Sequence, residues 1–235
     1  MNFIQRLVFV TLVAASLGAC ATQSFYTTEA LRRDDRHPRI LMMPPDVELA
    51  EMTAGGGLET NALWTQQGTA NLTAAVKQIL RERNTQFVEF TAPNEDSPEG
   101  QRLDQIQKLH GAVGLTIRMY HATEASRLPT KAGKFDWSLG PSTQELASYS
   151  DADYALFVWV RDSYTSPGRV ALKVAAALLY VHVPGGIQYG HASLVDLKTG
   201  QVVWFNALFP REAGDLRTAS PAKDTVALLL EKLPK

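Results

Sequence analysis

The sequence is poor in cysteine: Cys20 is the only one in 235 residues. A single thiol excludes an intramolecular disulfide framework and any cysteine-based zinc cluster. It is also without a charge excess, with 23 Lys and Arg against 24 Asp and Glu and a formal net charge of -1. No basic stripe is present, so no nucleic-acid partner is expected. No apolar run reaches the ~20 residues that a membrane-spanning helix needs. Several catalytic and ligand motifs are missing too. The five histidines (His37, His110, His121, His182 and His191) contain no His-x-x-x-His pair. There is no Gly-x-Ser-x-Gly, and Gly55-Gly56-Gly57 lacks the Gly-Lys-Ser/Thr ending of a phosphate loop. No catalytic set, cofactor or metal site is expected. What is present, 45% hydrophobic and 20% charged residues at a mean hydropathy of -0.12, is a folded composition long enough to bury a full core.

The position of the cysteine explains its presence. Arg6 precedes an uncharged, mainly apolar run from Leu7 to Leu17, about eleven residues, which suits a signal-peptide core better than a membrane span. The run closes on Leu17-Gly18-Ala19-Cys20. This order resembles the bacterial lipobox, in which the cysteine is lipidated and becomes the first mature residue. Residues 1–19 are then a signal peptide, and residues 20–38 the lipidated cysteine and a charged, polar tether. By resemblance to Gram-negative lipoproteins, Ala21 favours sorting to the outer membrane, given a Gram-negative source.

Residues 39–235 read as one α/β domain. Arg39–Met43 predicts a buried strand stopped by Pro44-Pro45, with Val47, Leu49 and Met52 as a second piece beyond a bend. Leu72, Ala75, Val76, Ile79 and Leu80 form a helical stripe behind Asn61 as N-cap. Residues 86–90 predict a short strand. Leu103, Ile106, His110, Val113, Ile117 and Tyr120 step by three and four. That spacing favours a helix over 99–121, although residues 112–120 also alternate as a strand would. Pro141 opens a short helix to Ala147. Residues 152–160 are apolar on both faces, as in a covered central strand. Ser166-Pro167 starts an apolar segment, 170–181, that fits either a core helix or an exposed interface. Residues 189–197 and 201–208 predict a hairpin turned at Lys198-Thr199-Gly200. Ser220-Pro221 opens a last helix with Val226, Leu229, Leu230 and Leu233 on one face. The alternation predicts a mixed sheet with helices on both faces, ending in an antiparallel hairpin and a helix.

Two places suggest surfaces. Phe135 and Trp137, among Lys131, Lys134 and Asp136, make an aromatic and charged loop. It is either a binding surface or a plug for the core edge. Val170, Val174 and Leu178 lie in the apolar segment and are candidate contacts for a partner. Asp151, Asp153 and Asp162 flank the central strand, where turn and capping roles outweigh acid–base chemistry. His110 reads as a hydrogen-bonded core or interface residue. His182 and His191 are placed to approach each other across a loop.

The run Ser193-Leu194-Val195-Asp196-Leu197-Lys198-Thr199-Gly200-Gln201-Val202-Val203-Trp204 resembles the late hairpin of envelope lipoproteins related to the curli-secretion protein CsgG. The element order and the lipidated N-terminus are similar as well. That resemblance implies a periplasm-facing α/β domain that acts by oligomerising or binding envelope partners, without a cofactor. The chain lacks the two long alternating segments of the channel-forming member, so a pore of that type is not implied. The expected role is a lipid-anchored, non-catalytic interaction or assembly module. The alternative is a periplasmic hydrolase or small-ligand-binding lipoprotein, using the Asp151–Asp162 end of the sheet or the Lys131–Trp137 loop.

Overall fold

The computed structural model describes residues 21–28, 30–31, 37–91, 93–94, 96–148 and 150–234. The signal segment, the lipobox and the charged 32–36 run lie outside the described residues.

The strands are β1 (Thr22–Tyr26), β2 (Ile40–Met42), β3 (Asp46–Met52), β4 (Leu58–Thr60), β5 (Phe87–Glu89), β6 (Tyr154–Thr165), β7 (Gln188–Asp196) and β8 (Val202–Arg211). The α-helices are α1 (Ala62–Glu82), α2 (Pro98–Ile117), α3 (Gln144–Ser148), α4 (Pro167–Ala177) and α5 (Ala219–Leu229). The sheet runs β1-β8-β7-β6-β2-β5, with β3 also on β6 and β4 on β3. It is mixed: β2 and β3 are parallel to β6, and β6, β7, β8 and β1 follow one another antiparallel.

β6 organises both cores. Its alternate side chains point to opposite faces. Leu156, Val158 and Val160 join α1 and α5 on one face, and Ala155 and Phe157 join α2, Leu139 and Leu146 on the other. This is the layered α/β architecture expected from the sequence. The bend at Pro44-Pro45 is a bulge: Met42 pairs with Leu156 and Asp46 with Trp159, so one strand spends four residues where its partner spends three. Two consecutive prolines remove two ladder donors, which makes the extra residue the natural solution.

The helix starts follow local chemistry. The Asn61 side chain accepts from the Trp64 N–H, as an N-cap should, and Ser97 does the same for Gly100 N–H. α2 continues into one wider turn, Arg118–Ala122, so residues 112–120 are helical. Its Gly111 and Gly114 are buried because aromatic rings lie against them. A Cβ on Gly114 would sit 1.9 Å from Nε2 of His191, and one on Gly111 would sit 3.0 Å from the Trp159 indole nitrogen. α5 begins earlier than Ser220-Pro221 suggests, with Thr218 at the cap position, and Pro221 falls inside the first turn, where its missing N–H costs nothing.

The stretch expected to be a tether differs. Thr22–Tyr26 forms β1, an edge strand on β8, and Phe25 packs beside His121 and Phe135. Its polar composition hides it, because an edge strand buries only one side.

Candidate functional site

Chain entry and the apolar segment share one end of the sheet. Phe209 N–H donates to the Ala21 carbonyl at 3.1 Å, so the residue after Cys20 already lies beside the end of β8. Arg211, also near that end, pairs with Gln188 at the start of β7, which pairs with Asp162 near the end of β6. The β6–β7 connection, residues 166–187, leaves from here and carries α4. The Lys198-Thr199-Gly200 turn lies at the opposite end.

The base of this excursion is tightly built. The Ser166 side chain caps α4 by accepting from Arg169 N–H at 3.2 Å. The Arg169 guanidinium is buried and donates to the carbonyls of Pro184 (3.2 and 3.0 Å) and Ala54 (3.1 Å). These contacts tie the outgoing helix, the chain returning towards β7 and the loop before the triple glycine together. Gly186 lies so close to β6 that a Cβ there would meet the Ser163 carbonyl oxygen at 1.9 Å.

Beyond the base, the excursion is bare. Val170, Leu172 and Val174 are exposed, and Leu178, Leu179 and Tyr180 have relative exposures of 79%, 74% and 101%. Of the α4 residues only Arg169 and Ala176 are buried. Residues 174–195 contain no Asp, Glu, Lys or Arg. Tyr180 turns the chain back with φ of 57°, a left-handed conformation costly for a non-glycine residue. Val170, Val174 and Leu178, singled out in the sequence, are therefore all solvent-facing.

The aromatic loop is different. Trp137 is 9% exposed and belongs to the α2 face of the core, and its carbonyl accepts from Val202 N–H at 2.8 Å. Phe135 is half-buried and stacks on Phe25 with centroids 5.8 Å apart. Lys131 Nζ lies 4.5 Å from the Trp137 ring centroid and 2.6 Å from an Asp136 carboxylate oxygen. Of the two readings open in the sequence, this burial favours the plug, since packing the aromatics against β1 and β8 removes apolar area from water.

The aspartates do structural work. Arg39 binds Asp151 at 3.0 Å, and Arg39 N–H donates to Asp153 at 3.0 Å. Asp162 accepts from Tyr164 OH (3.0 Å) and Gln188 Nε2 (2.9 Å), while Gln188 accepts from Thr225 on α5 and Tyr164 accepts from Leu216 N–H. Burial pushes the Asp162 carboxyl up to about 6, against the pull of those hydrogen bonds, and it pushes the Tyr164 hydroxyl up as well. The adjoining cavity, about 190 Å³, is also lined by Lys173 and Glu212.

His191 does not meet His182. It lies buried in β7, its ring 5.0 Å from those of His110 and Trp159, and Nε2 of His110 is 2.7 Å from Oγ of Ser193. Burial pulls His110 down to about 3 and His191 well below its ordinary value. Among the described residues no group of three His, Cys, Asp or Glu is placed to hold a metal ion, and no helix is long and apolar enough to cross a membrane. Sequence reasoning missed the buried His110–His191 pair, whose rings are tilted at 53° to one another. The glycines of α2 carried its signal, since each leaves room for a ring.

No family model and no curated protein matches the chain. Among solved structures it is similar to the PelC dodecamer from Paraburkholderia phytofirmans, at a TM-score of 0.40 and 13% identity over 91% of this chain and 98% of that one. A variant of the same PelC gives 0.40 and 12% with the same coverage. Lipoprotein GNA1162 from Neisseria meningitidis gives 0.34 and 13% over 83% of this chain and 97% of that one.

Proposed function

We propose that this chain is a lipid-anchored, non-catalytic accessory module of the bacterial envelope that acts by association. The observation that carries this reading is the exposed, uncharged apolar surface of α4 and the turn after it. Large apolar side chains grouped in water are costly, and such patches on folded domains mark contact surfaces. The lipobox at Leu17–Cys20 supports attachment to a membrane, and Ala21 supports the outer membrane of a Gram-negative source, with the domain facing the periplasm. The surface serves docking, whether to a second copy, an envelope protein or the membrane. The non-catalytic part rests on the aspartates: each one weighed in the sequence has a hydrogen-bonding role in the fold that accounts for it.

The test uses the full chain in its host. Intact mass reports acylation at Cys20. A deletion strain is complemented with wild type, with Asp162→Asn and with the Leu178→Asp, Leu179→Asp double variant. Complementation by wild type and Asp162→Asn, but not by the double variant, supports the reading. An unacylated Cys20, or loss of function in a folded Asp162→Asn protein, sinks it.

A further inference from the structure

We propose that α4 and the turn through Val181 enter the membrane leaflet that holds the acyl chains of Cys20. The inference rests on the reading of Cys20 as lipidated and names the occupant of the apolar surface as lipid.

Three observations favour lipid over a protein partner. The first is exposure at the tip. Val170, Val174 and Leu178 lie four apart on one exposed stripe of the helix, and beyond it Leu178, Leu179, Tyr180 and Val181 are exposed in succession. A protein partner covers one face, whereas hydrocarbon surrounds a tip whose consecutive side chains all lie in the open. The second is position. β1 begins at Thr22 at the same end of the sheet from which α4 emerges. Only β8 and β7 separate β1 from β6, a lateral distance of about 14 Å at ordinary strand spacing. Acyl chains on Cys20 therefore bring the leaflet to the base of α4. The third is the polarity gradient along the excursion. Lys173, Thr165 and Glu212 gather around Gly185 at its base, whereas no Asp, Glu, Lys or Arg occurs between Val174 and Val195.

The length fits immersion without crossing. α4 has 11 residues, about 16 Å of helix, against roughly 15 Å for half of the hydrocarbon core. A lipid chain and an immersed apolar segment are two membrane signals on one domain, and two signals convert marginal attachment into stable attachment.

The experiment uses the full-length lipidated protein in vesicles of phosphatidylethanolamine and phosphatidylglycerol. Cys20 is consumed by acylation, so an added cysteine is the only free thiol. Leu179→Cys and, at the opposite end of the sheet, Lys198→Cys are labelled with an environment-sensitive fluorophore. Vesicles with and without nitroxide-labelled acyl chains are compared, at high and low protein density. The expected result is a blue-shifted probe at 179, quenched severalfold by the nitroxide at both densities, and an unquenched, water-exposed probe at 198. A blue-shifted but unquenched probe at 179 identifies a protein partner or a second copy and overturns the inference, as does a water-exposed one. In both cases an acylated Cys20 leaves the accessory-lipoprotein reading standing. An unacylated Cys20 overturns both.

Discussion

At the scale of single residues, the tightest constraint is the contact between α2 and the His191 ring. Gly114→Ala puts a methyl group where Nε2 of His191 sits, at a distance of 1.9 Å before relaxation. Overpacking of this kind costs about 1–3 kcal/mol, so a fall of several degrees in Tm is expected, with no effect on acylation. Asn206 is a second such point. Its side-chain amide donates to the carbonyls of Leu228 (2.7 Å) and Leu229 (3.0 Å) at the end of α5. Asn206→Ala takes a buried donor from the Leu229 carbonyl, while the Leu228 carbonyl keeps the Glu231 N–H at 3.2 Å, at a cost of roughly 1–3 kcal/mol, measurable by urea denaturation. The buried histidines set the acid response. His110 is held at about 3 in the fold against an ordinary 6.5, and His191 is also lowered. Below pH 6.5 the unfolded chain takes up protons that the folded chain refuses, so stability falls as pH drops, by about 1.4 kcal/mol per pH unit for each histidine. Asp162 acts in the opposite sense. Raised to about 6 from 3.8, it binds a proton in the fold first and adds stability as pH falls from 6 to 3.8. Asp162→Asn is therefore expected to steepen the loss between pH 6 and pH 4, and a shallower loss would refute the assignment.

At the scale of elements, Arg169 decides whether the 166–187 excursion is held in place. Arg169→Ala removes its three hydrogen bonds to backbone carbonyls. Hydrogen exchange and proteolysis within 167–187 are expected to rise, while β6 amides from Leu156 to Val160 keep their protection. If β6 loosens too, the excursion and the sheet are one cooperative unit. The elements also show what a sequence can reveal. Apolar periodicity located α1, α2, β6 and the β7–β8 hairpin, because each buries a face whose spacing is written in the residues. It did not locate β1, whose five residues gain their burial from β8, 180 positions away. It left α4 undecided, because a run this rich in apolar residues looks alike in a core and at a surface. Phe135 and Trp137 read two ways for a related reason: cations beside aromatics occur both at binding sites and where a lysine covers a core edge, as Lys131 does.

At the scale of the whole molecule, the exposed tip dominates behaviour in solution. Leu178→Asp with Leu179→Asp changes two side chains that touch little else, so Tm is expected to hold while the unlipidated protein (Cys20→Ala) becomes markedly less prone to aggregate. Light scattering against concentration checks this, and unchanged scattering would place the sticky surface elsewhere.

The pairing of β1 with β8 has one more consequence. Ala21 alone stands between Cys20 and a strand fixed in the sheet. Were Cys20 acylated as proposed, the domain would have no leash and could not search the space above the bilayer. β7, nine residues long, would then act as a strut of about 30 Å. It would hold the Lys198-Thr199-Gly200 turn at a set distance from the anchored end of the sheet, and a partner meeting that turn would have to come to the membrane.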